Sequence, residues 1–226
     1  MTTHLSSPGS GPPSPVPLEG LQDHDGLDAA GRRLLFQDAR TVRTFSERPV
    51  PDELLVDLWN LAQWPPTALN SQPLRIVHVR SPGGKQRLLP LVDEGNREKT
   101  RQAPVTSVLA ADPRFHDRLP ELFPVHEGLR EVFEARGRPH RDDHARFNTA
   151  LQIGYFLLAA RAVGLSAGPM AGFDSAAVTR EFLVTDHADH TDHVSAQLLV
   201  NLGYPGADAY RPRLPRLPVG EVVGWA

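Results

Sequence analysis

Apolar residues recur along this chain in two rhythms, and their alternation predicts helices and strands in turn. Leu27, Ala30, Leu34 and Leu35 stand three or four apart, which predicts a helix starting near Leu27. Pro51 suits a first helical turn, and Asp52 and Glu53 face the positive end of the helix dipole. The apolar face of that second helix is Leu54, Leu55, Leu58, Leu61 and Ala62, and Pro65 and Pro66 stop it. Residues 74–79 predict a strand, Ser81 and Pro82 open a helix reaching Leu91, and residues 104–111 predict a second strand. Residues 112–140 are loop-rich with short helices. Residues 142–164 predict the longest helix, apolar on most sides (Phe147, Leu151, Ile153, Tyr155, Phe156, Leu157, Leu158, Val163) and therefore central and buried, with Gly164 as its stop. Asp174 caps a helix reaching Leu183, residues 194–202 predict a strand, and residues 203–226 form a Pro-rich arm with little core pattern of its own. Strands separated by helices point to α/β layering.

Composition sharpens this picture. Residues 1–26 are rich in Pro, Ser and Gly and poor in large apolar groups, so they predict a disordered tail ahead of one domain over 27–226. The net charge of −3 gives no broad footprint for nucleic acid or an anionic membrane. Zero cysteines exclude disulfides, thiolate metal sites and a cysteine nucleophile, and fit a reducing, cytoplasmic compartment. The first residues lack the basic start and apolar stretch of a secretory signal, and the longest apolar run, residues 155–160, is too short to span a bilayer.

Five short stretches carry candidate chemistry. They are Arg40-Thr41-Val42-Arg43, the loop from Pro66 to Pro73, Asn96 with Lys99, the turn from Gly168 to Asp174, and Arg213 with Arg216. Arginine forks pair with phosphate oxygens and stay charged, although a lone arginine is usually solvated surface. Asn96 and Lys99 stand three apart and share one face if helical. Asn70, Ser71, Gln72 and Pro73 are ordinary loop residues taken singly.

In this order and spacing the stretches resemble the FMN-dependent nitroreductase family, over roughly residues 30–220. The resemblance implies an α+β, nitroreductase-like fold with a central mixed or antiparallel sheet flanked by helices. It also implies a homodimer with exchanged C-terminal arms (about 204–226), FMN tightly bound at the subunit interface, and NADH or NADPH as substrate. Arg40, Thr41, Arg43, Arg213 and Arg216 would serve the phosphate, although Ala39 and Thr41 replace an Arg and a Ser of the family's Arg-Arg-Ser-x-Arg pattern. Asn96 and Lys99 match an Asn-x-x-Lys that holds the flavin pyrimidine, where a cation stabilises developing negative charge. The Pro66, Thr67, Ala68 and Asn70 positions match a loop that reaches the flavin from the other subunit, with Thr67 and Ala68 in place of serines. Pro169, Met170, Ala171 and Gly172 match a turn whose backbone N–H faces flavin N5, and Ala171 stands where many relatives carry Glu. No catalytic side chain is implied: hydride passes through flavin N5 in ping-pong turnover.

Residues 115–124 and 38–41 are closest to the family's malonic semialdehyde reductase branch, which implies reduction of that aldehyde to 3-hydroxypropionate, with Arg118 a candidate for the substrate carboxylate. The alternatives are a broad nitroreductase or quinone reductase, or a flavin-binding protein without turnover. No Gly-x-Gly-x-x-Gly follows a strand, so the nicotinamide cofactor is a transient substrate. Gly83-Gly84-Lys85 lacks P-loop spacing. His187, His190 and His193 with their Asp neighbours read as a solvated loop in preference to a metal site, and His140 to His144 reads as a helix start.

Overall fold

The structure is a computed structural model describing residues 26–184 and 194–226. In chain order the elements are α1 (Ala29–Arg32), α2 (Asp52–Ala62), β1 (Leu74–Val79), α3 (Pro82–Leu88), α4 (Glu94–Gln102), β2 (Val105–Ala111), α5 (Leu119–Leu122), α6 (Leu129–Ala135), α7 (Gly137–Ala162), β3 (Ser166–Met170), α8 (Ser175–Phe182), β4 (Ser195–Gly203) and α9 (Val219–Val222). The four strands form one sheet in the order β1-β2-β4-β3, antiparallel at every pairing. Every residue of β2 is buried, as its central place requires.

The sheet separates two apolar layers. Leu55, Leu58 and Ala62 of α2 and Phe156, Ala159 and Ala160 of α7 meet Val105, Leu109, Val200 and Leu202 on one face. Leu88 of α3, Val178 of α8 and Val92 meet Val108, Ala110 and Leu199 on the other. The alternation along β2 sends successive side chains to opposite layers. A bulge between Leu109 and Ala110 interrupts the β2–β4 register. A smaller cluster of Phe115, Leu119, Phe133 and Ala145 closes the loop-rich excursion after β2. Together these elements are an α+β arrangement, with an antiparallel sheet between helical layers.

Three expectations are corrected. The helix from Ser81 ends at Leu88, and a 3-10 turn over Leu89–Leu91 follows it. Strand β3 occupies part of what the sequence suggests is a turn. Ser-Ala-Gly-Pro-Met has little β propensity, yet β3 pairs on one side only, and an edge strand tolerates proline. Helix α7 starts at Gly137, and it is not buried all round: Phe147, Leu151 and Tyr155, spaced four apart, form an exposed stripe at 67 %, 41 % and 42 % exposure. The helix ends as expected at Gly164 (φ 79°), where Gly164 N donates to Arg161 O and Leu165 N to Ala160 O. Leu27, Leu34 and Phe36 near α1 are likewise exposed, as are Leu214, Leu217, Val219, Val222 and Trp225 of the arm. No helix among the described residues is long and apolar enough to cross a membrane. The His187–His193 run lies outside the described residues.

Candidate functional site

Residues 40–46 form an extended strip between the edge of the sheet and the first part of the C-terminal arm. Val42 N donates to Ala167 O of β3 at 3.3 Å. On the other side Arg43 N donates to Ala209 O at 3.0 Å, Gly206 N to Thr44 O at 3.0 Å and Ser46 N to Tyr204 O at 2.9 Å. A Cβ on Gly168 would lie 3.0 Å from Val42 O, so a side chain there would push the strip outward. Val42 is buried with Phe45, Ala103 and Ala209, which leaves Thr41 and Arg43 facing out. The arm runs antiparallel to the strip and brings basic residues to it. Arg40 Nη1 donates to Arg211 O at 2.6 Å, and Arg213 donates to Gln37 O and, at 3.3 Å, to Ala39 O.

Helix α4 supplies the next wall. Asn96 Nδ2 donates to Gly172 O at 3.0 Å, and Asp93 N donates to the same carbonyl at 3.1 Å. Asp174 N donates to Leu91 O at 2.8 Å. The turn after β3 is thereby pinned to the start of α4, and Asn96 meets the turn that contains Ala171 and Gly172. Lys99 lies near Arg43: burial and then the Arg43 guanidinium push the Lys99 ammonium below its ordinary range. Beneath them Thr100 Oγ1 contacts Met170 Sδ at 3.6 Å, Asn201 Nδ2 donates to Thr100 Oγ1 at 3.3 Å, and Thr106 Oγ1 donates to Asn201 Oδ1 at 2.7 Å. Lys85 Nζ completes this buried network at Thr106 Oγ1 (2.6 Å) and Thr100 O (2.9 Å), and burial pushes its pKa down to about 8.

The basic groups of the strip have no carboxylate partner among the described residues. No ion pair among the described residues involves Arg33, Arg40, Arg43, Lys99, Arg161, Arg213 or Arg216. A recess of about 350 Å³ is lined by Arg33, Arg40, Arg161, Ser166 and Tyr210 together with one carboxylate, Asp38, so its charged wall carries three cations to one anion. Arg161, in the last turn of α7, donates to Leu35 O at 3.0 Å, and burial and then Arg213 push it below its ordinary value. Sequence reasoning missed Arg161. Its one signal is a cation closing the apolar second half of α7. Like charges held together disfavour their own charged forms, and an anion placed among them relieves that repulsion.

The loop over 66–73 is built differently. Its Leu69, Asn70 and Gln72 have left-handed backbones (φ 57°, 50° and 42°), which non-glycine residues adopt only when held there. Helix α7 holds it: Asn148 Oδ1 accepts from Ala68 N at 2.7 Å, and Gln152 Oε1 accepts from Leu74 N at 2.9 Å. Asn70 Nδ2 donates to Leu122 O at 2.9 Å, and Gln72 N donates to Thr67 Oγ1 at 3.3 Å. His144 stacks on Phe115 with ring centroids 4.5 Å apart, and its Nε2 lies 3.3 Å from Ser71 Oγ. These partners belong to α5, α7 and the loop itself, not to α4 or the basic strip, so within one chain the loop belongs to a separate surface.

One chain therefore brings together Arg40, Thr41, Arg43, Asn96, Lys99, Pro169, Met170, Ala171, Gly172 and Arg213. It does not bring Pro66, Thr67, Ala68 and Asn70 to them. Arg216 donates to Leu214 O and Pro215 O of its own exposed segment (2.9 and 3.1 Å), and Arg118 is paired with Glu121 at 2.7 Å. The assembled groups fit a phosphorylated, amide-edged ring. They offer guanidinium forks at one end and an amide with two cations at the other, and a close-packed turn lies between them.

Comparison with known proteins gives consistent results. Residues 37–204 match the model of the nitroreductase family. A Streptomyces coelicolor protein provisionally named NADH dehydrogenase/NAD(P)H nitroreductase is 47 % identical over 201 residues, covering 88 % of this chain and 96 % of that one. A Stenotrophomonas maltophilia protein of the same provisional name is 44 % identical over 197 residues, covering 87 % and 96 %. Among solved structures, a provisionally assigned nitroreductase, ydfN of Bacillus subtilis, superposes with a TM-score of 0.73 at 22 % identity, covering 87 % of this chain and 99 % of that one. A second, from Exiguobacterium sibiricum in complex with FMN, gives 0.71 at 21 % identity, covering 90 % and 99 %.

Proposed function

The chain belongs to the nitroreductase family, and from that premise we propose that it is an FMN-dependent NAD(P)H oxidoreductase acting as a homodimer, with a flavin nucleotide in each cleft between subunits. The observation that carries this reading is the gathering of cations along the strip over 40–43 and its overlying arm, none of them in an ion pair among the described residues. Arg40, Thr41 and Arg213 would hold the phosphate, with Arg161 behind them and Arg216 joining when the arm is seated on a partner. Asn96, Lys99 and Arg43 would hold the pyrimidine edge, where two cations favour an anionic ring. The turn Pro169-Met170-Ala171-Gly172 would present a backbone N–H to the ring's centre, and Pro66, Thr67, Ala68 and Asn70 would come from the partner. When bound, FMN supplies two-electron transfer from the nicotinamide to the acceptor. The domain is residues 27–226, working in the cytoplasm where reduced nicotinamide is supplied.

For the acceptor, the provisional names of the relatives support a broad nitroreductase or quinone reductase. Reduction of malonic semialdehyde to 3-hydroxypropionate rests on the resemblance of residues 115–124 and 38–41. It would need a cation for the carboxylate, and Arg118 is committed to Glu121. The test is an absorbance spectrum of the purified protein, release and identification of the flavin, and anaerobic titration with NADH and NADPH. The expected outcome is a yellow dimer bleached by at least one of them, with catalytic efficiency higher on a nitroaromatic or quinone than on the aldehyde. A colourless protein that takes up no added FMN would sink the flavin reading. Faster turnover of the aldehyde would restore the narrower one.

A further inference from the structure

Gly83-Gly84-Lys85, which has no part in the flavin-binding set, lies in the first turns of α3. A Cβ on Gly84 would lie 3.1 Å from Val79 Cγ1, so glycine lets the helix settle close to β1. Lys85 then reaches across to the end of α4. Pro104 stands four residues after Thr100 and has no N–H, so the Thr100 carbonyl has no helical partner. Lys85 Nζ takes that place at 2.9 Å and sets its charge at the negative end of the helix dipole.

From Lys85 a line of donors runs inward. Nζ donates to Thr106 Oγ1 at 2.6 Å, Thr106 Oγ1 to Asn201 Oδ1 at 2.7 Å, Asn201 Nδ2 to Thr100 Oγ1 at 3.3 Å, and Thr100 Oγ1 to Met170 Sδ at 3.6 Å. Thr100, Thr106 and Asn201 are fully buried and Met170 nearly so. An ammonium can only donate, so it sets the direction of every bond in the line. Thr106 gives its one hydrogen to Asn201 Oδ1, which leaves the Asn201 amide group to face Thr100 and Met170. The line ends one residue from two walls of the candidate site: Thr100 follows Lys99, and Met170 precedes Ala171. The ammonium has no carboxylate partner among the described residues. Strands β2 and β4 carry no titratable side chain, and on α4 Glu98 is turned to Arg101.

We propose that Lys85 is a positioning residue for the cofactor: its donor line locks α4 to the turn over 169–172, and its charge joins that of Lys99 in favouring reduced over oxidised flavin. This role rests on the flavin reading of the site, although Lys85 acts through Thr100 and Met170 rather than by contact. Reduction adds negative charge to the ring, and the field of a partly buried ammonium is screened less than that of a surface charge.

The test compares the midpoint potential of FMN bound to the full-length protein with that of free FMN at pH 7. The difference gives the ratio of affinities for the reduced and oxidised forms. Lys85→Gln keeps an N–H donor and removes the charge. It should lower that ratio about tenfold, the order expected for one partly screened unit charge. Thr106→Val keeps the ammonium and cuts the line after its first bond. It should hold the ratio near wild type and quicken amide exchange over residues 170–172. An unchanged ratio in Lys85→Gln, in a protein that stays yellow, overturns the role of the charge and leaves the flavin reading standing. Exchange over 170–172 that Thr106→Val does not alter overturns the role of the donor line. A colourless wild type that takes up no FMN removes both together with the flavin reading.

Discussion

Gly172 has room for a hydrogen and nothing more. Its backbone is not left-handed, but a Cβ would lie 2.6 Å from Asn96 Nδ2 and 2.6 Å from Asp93 Oδ2. Gly172→Ala should therefore displace Asn96 from Gly172 O and from any pyrimidine edge it holds. The expected cost is about tenfold in FMN affinity, roughly the worth of one hydrogen bond, read by quenching of free-flavin fluorescence. An unchanged affinity would remove Asn96 from the cofactor site. At this scale the sequence is informative where chemistry repeats a spacing: Asn96 and Lys99 stand three apart on one helix, α4, whereas the closeness of Arg43, expected at the phosphate, to Lys99 has no signal in the sequence. It is silent where a contact depends on tertiary placement. Arg161 gains meaning only when α7 ends beside the arm, and Lys85 only when α3 lies beside the end of α4.

Among the elements, α7 does two tasks with adjacent faces. One face carries Asn148 and Gln152, buried and four apart, whose side chains accept from Ala68 N and Leu74 N at the two ends of the loop. In the sequence both look like minor interruptions of an apolar helix, and no periodicity marks them as clamps. Asn148→Ala removes the acceptor of the part-buried Ala68 N–H bond and should lower stability by about 1 kcal/mol in urea unfolding. Amide exchange should quicken over residues 67–72, where three left-handed residues lose their tether, and stay slow in the sheet. Equal protection of the loop in the variant would show that Asn148 is not what holds it. Strand β3 was missed for a related reason: Gly168 and Pro169 suit an edge strand because its outer side makes no ladder, and a pattern of side chains carries no information about that. Strands β1 and β2, whose apolar content is dense, were readable to within a residue or so.

In the whole molecule, the exposed stripe of Phe147, Leu151 and Tyr155, the uncovered Leu214, Leu217 and Trp225, and a loop set apart from the basic strip all fit one chain lending surface to another. The sequence could suggest this only through resemblance, because periodicity cannot distinguish an apolar face turned inward from one turned towards a second copy. Helix α7 was expected to be buried for that reason. The loop's attachment to Asn148, rather than to anything on α4, has a genetic corollary. In the proposed dimer, a chain damaged at Asn148 and a chain damaged at Gly172 would carry faults in different halves of the cleft. When the two are unfolded together and allowed to reassociate, a mixed pair puts both faults in one cleft and leaves the other intact. Activity should therefore reappear in the mixture, approaching about a quarter of wild type if pairing is random and each cleft works alone. Two defective genes would complement each other in one cell.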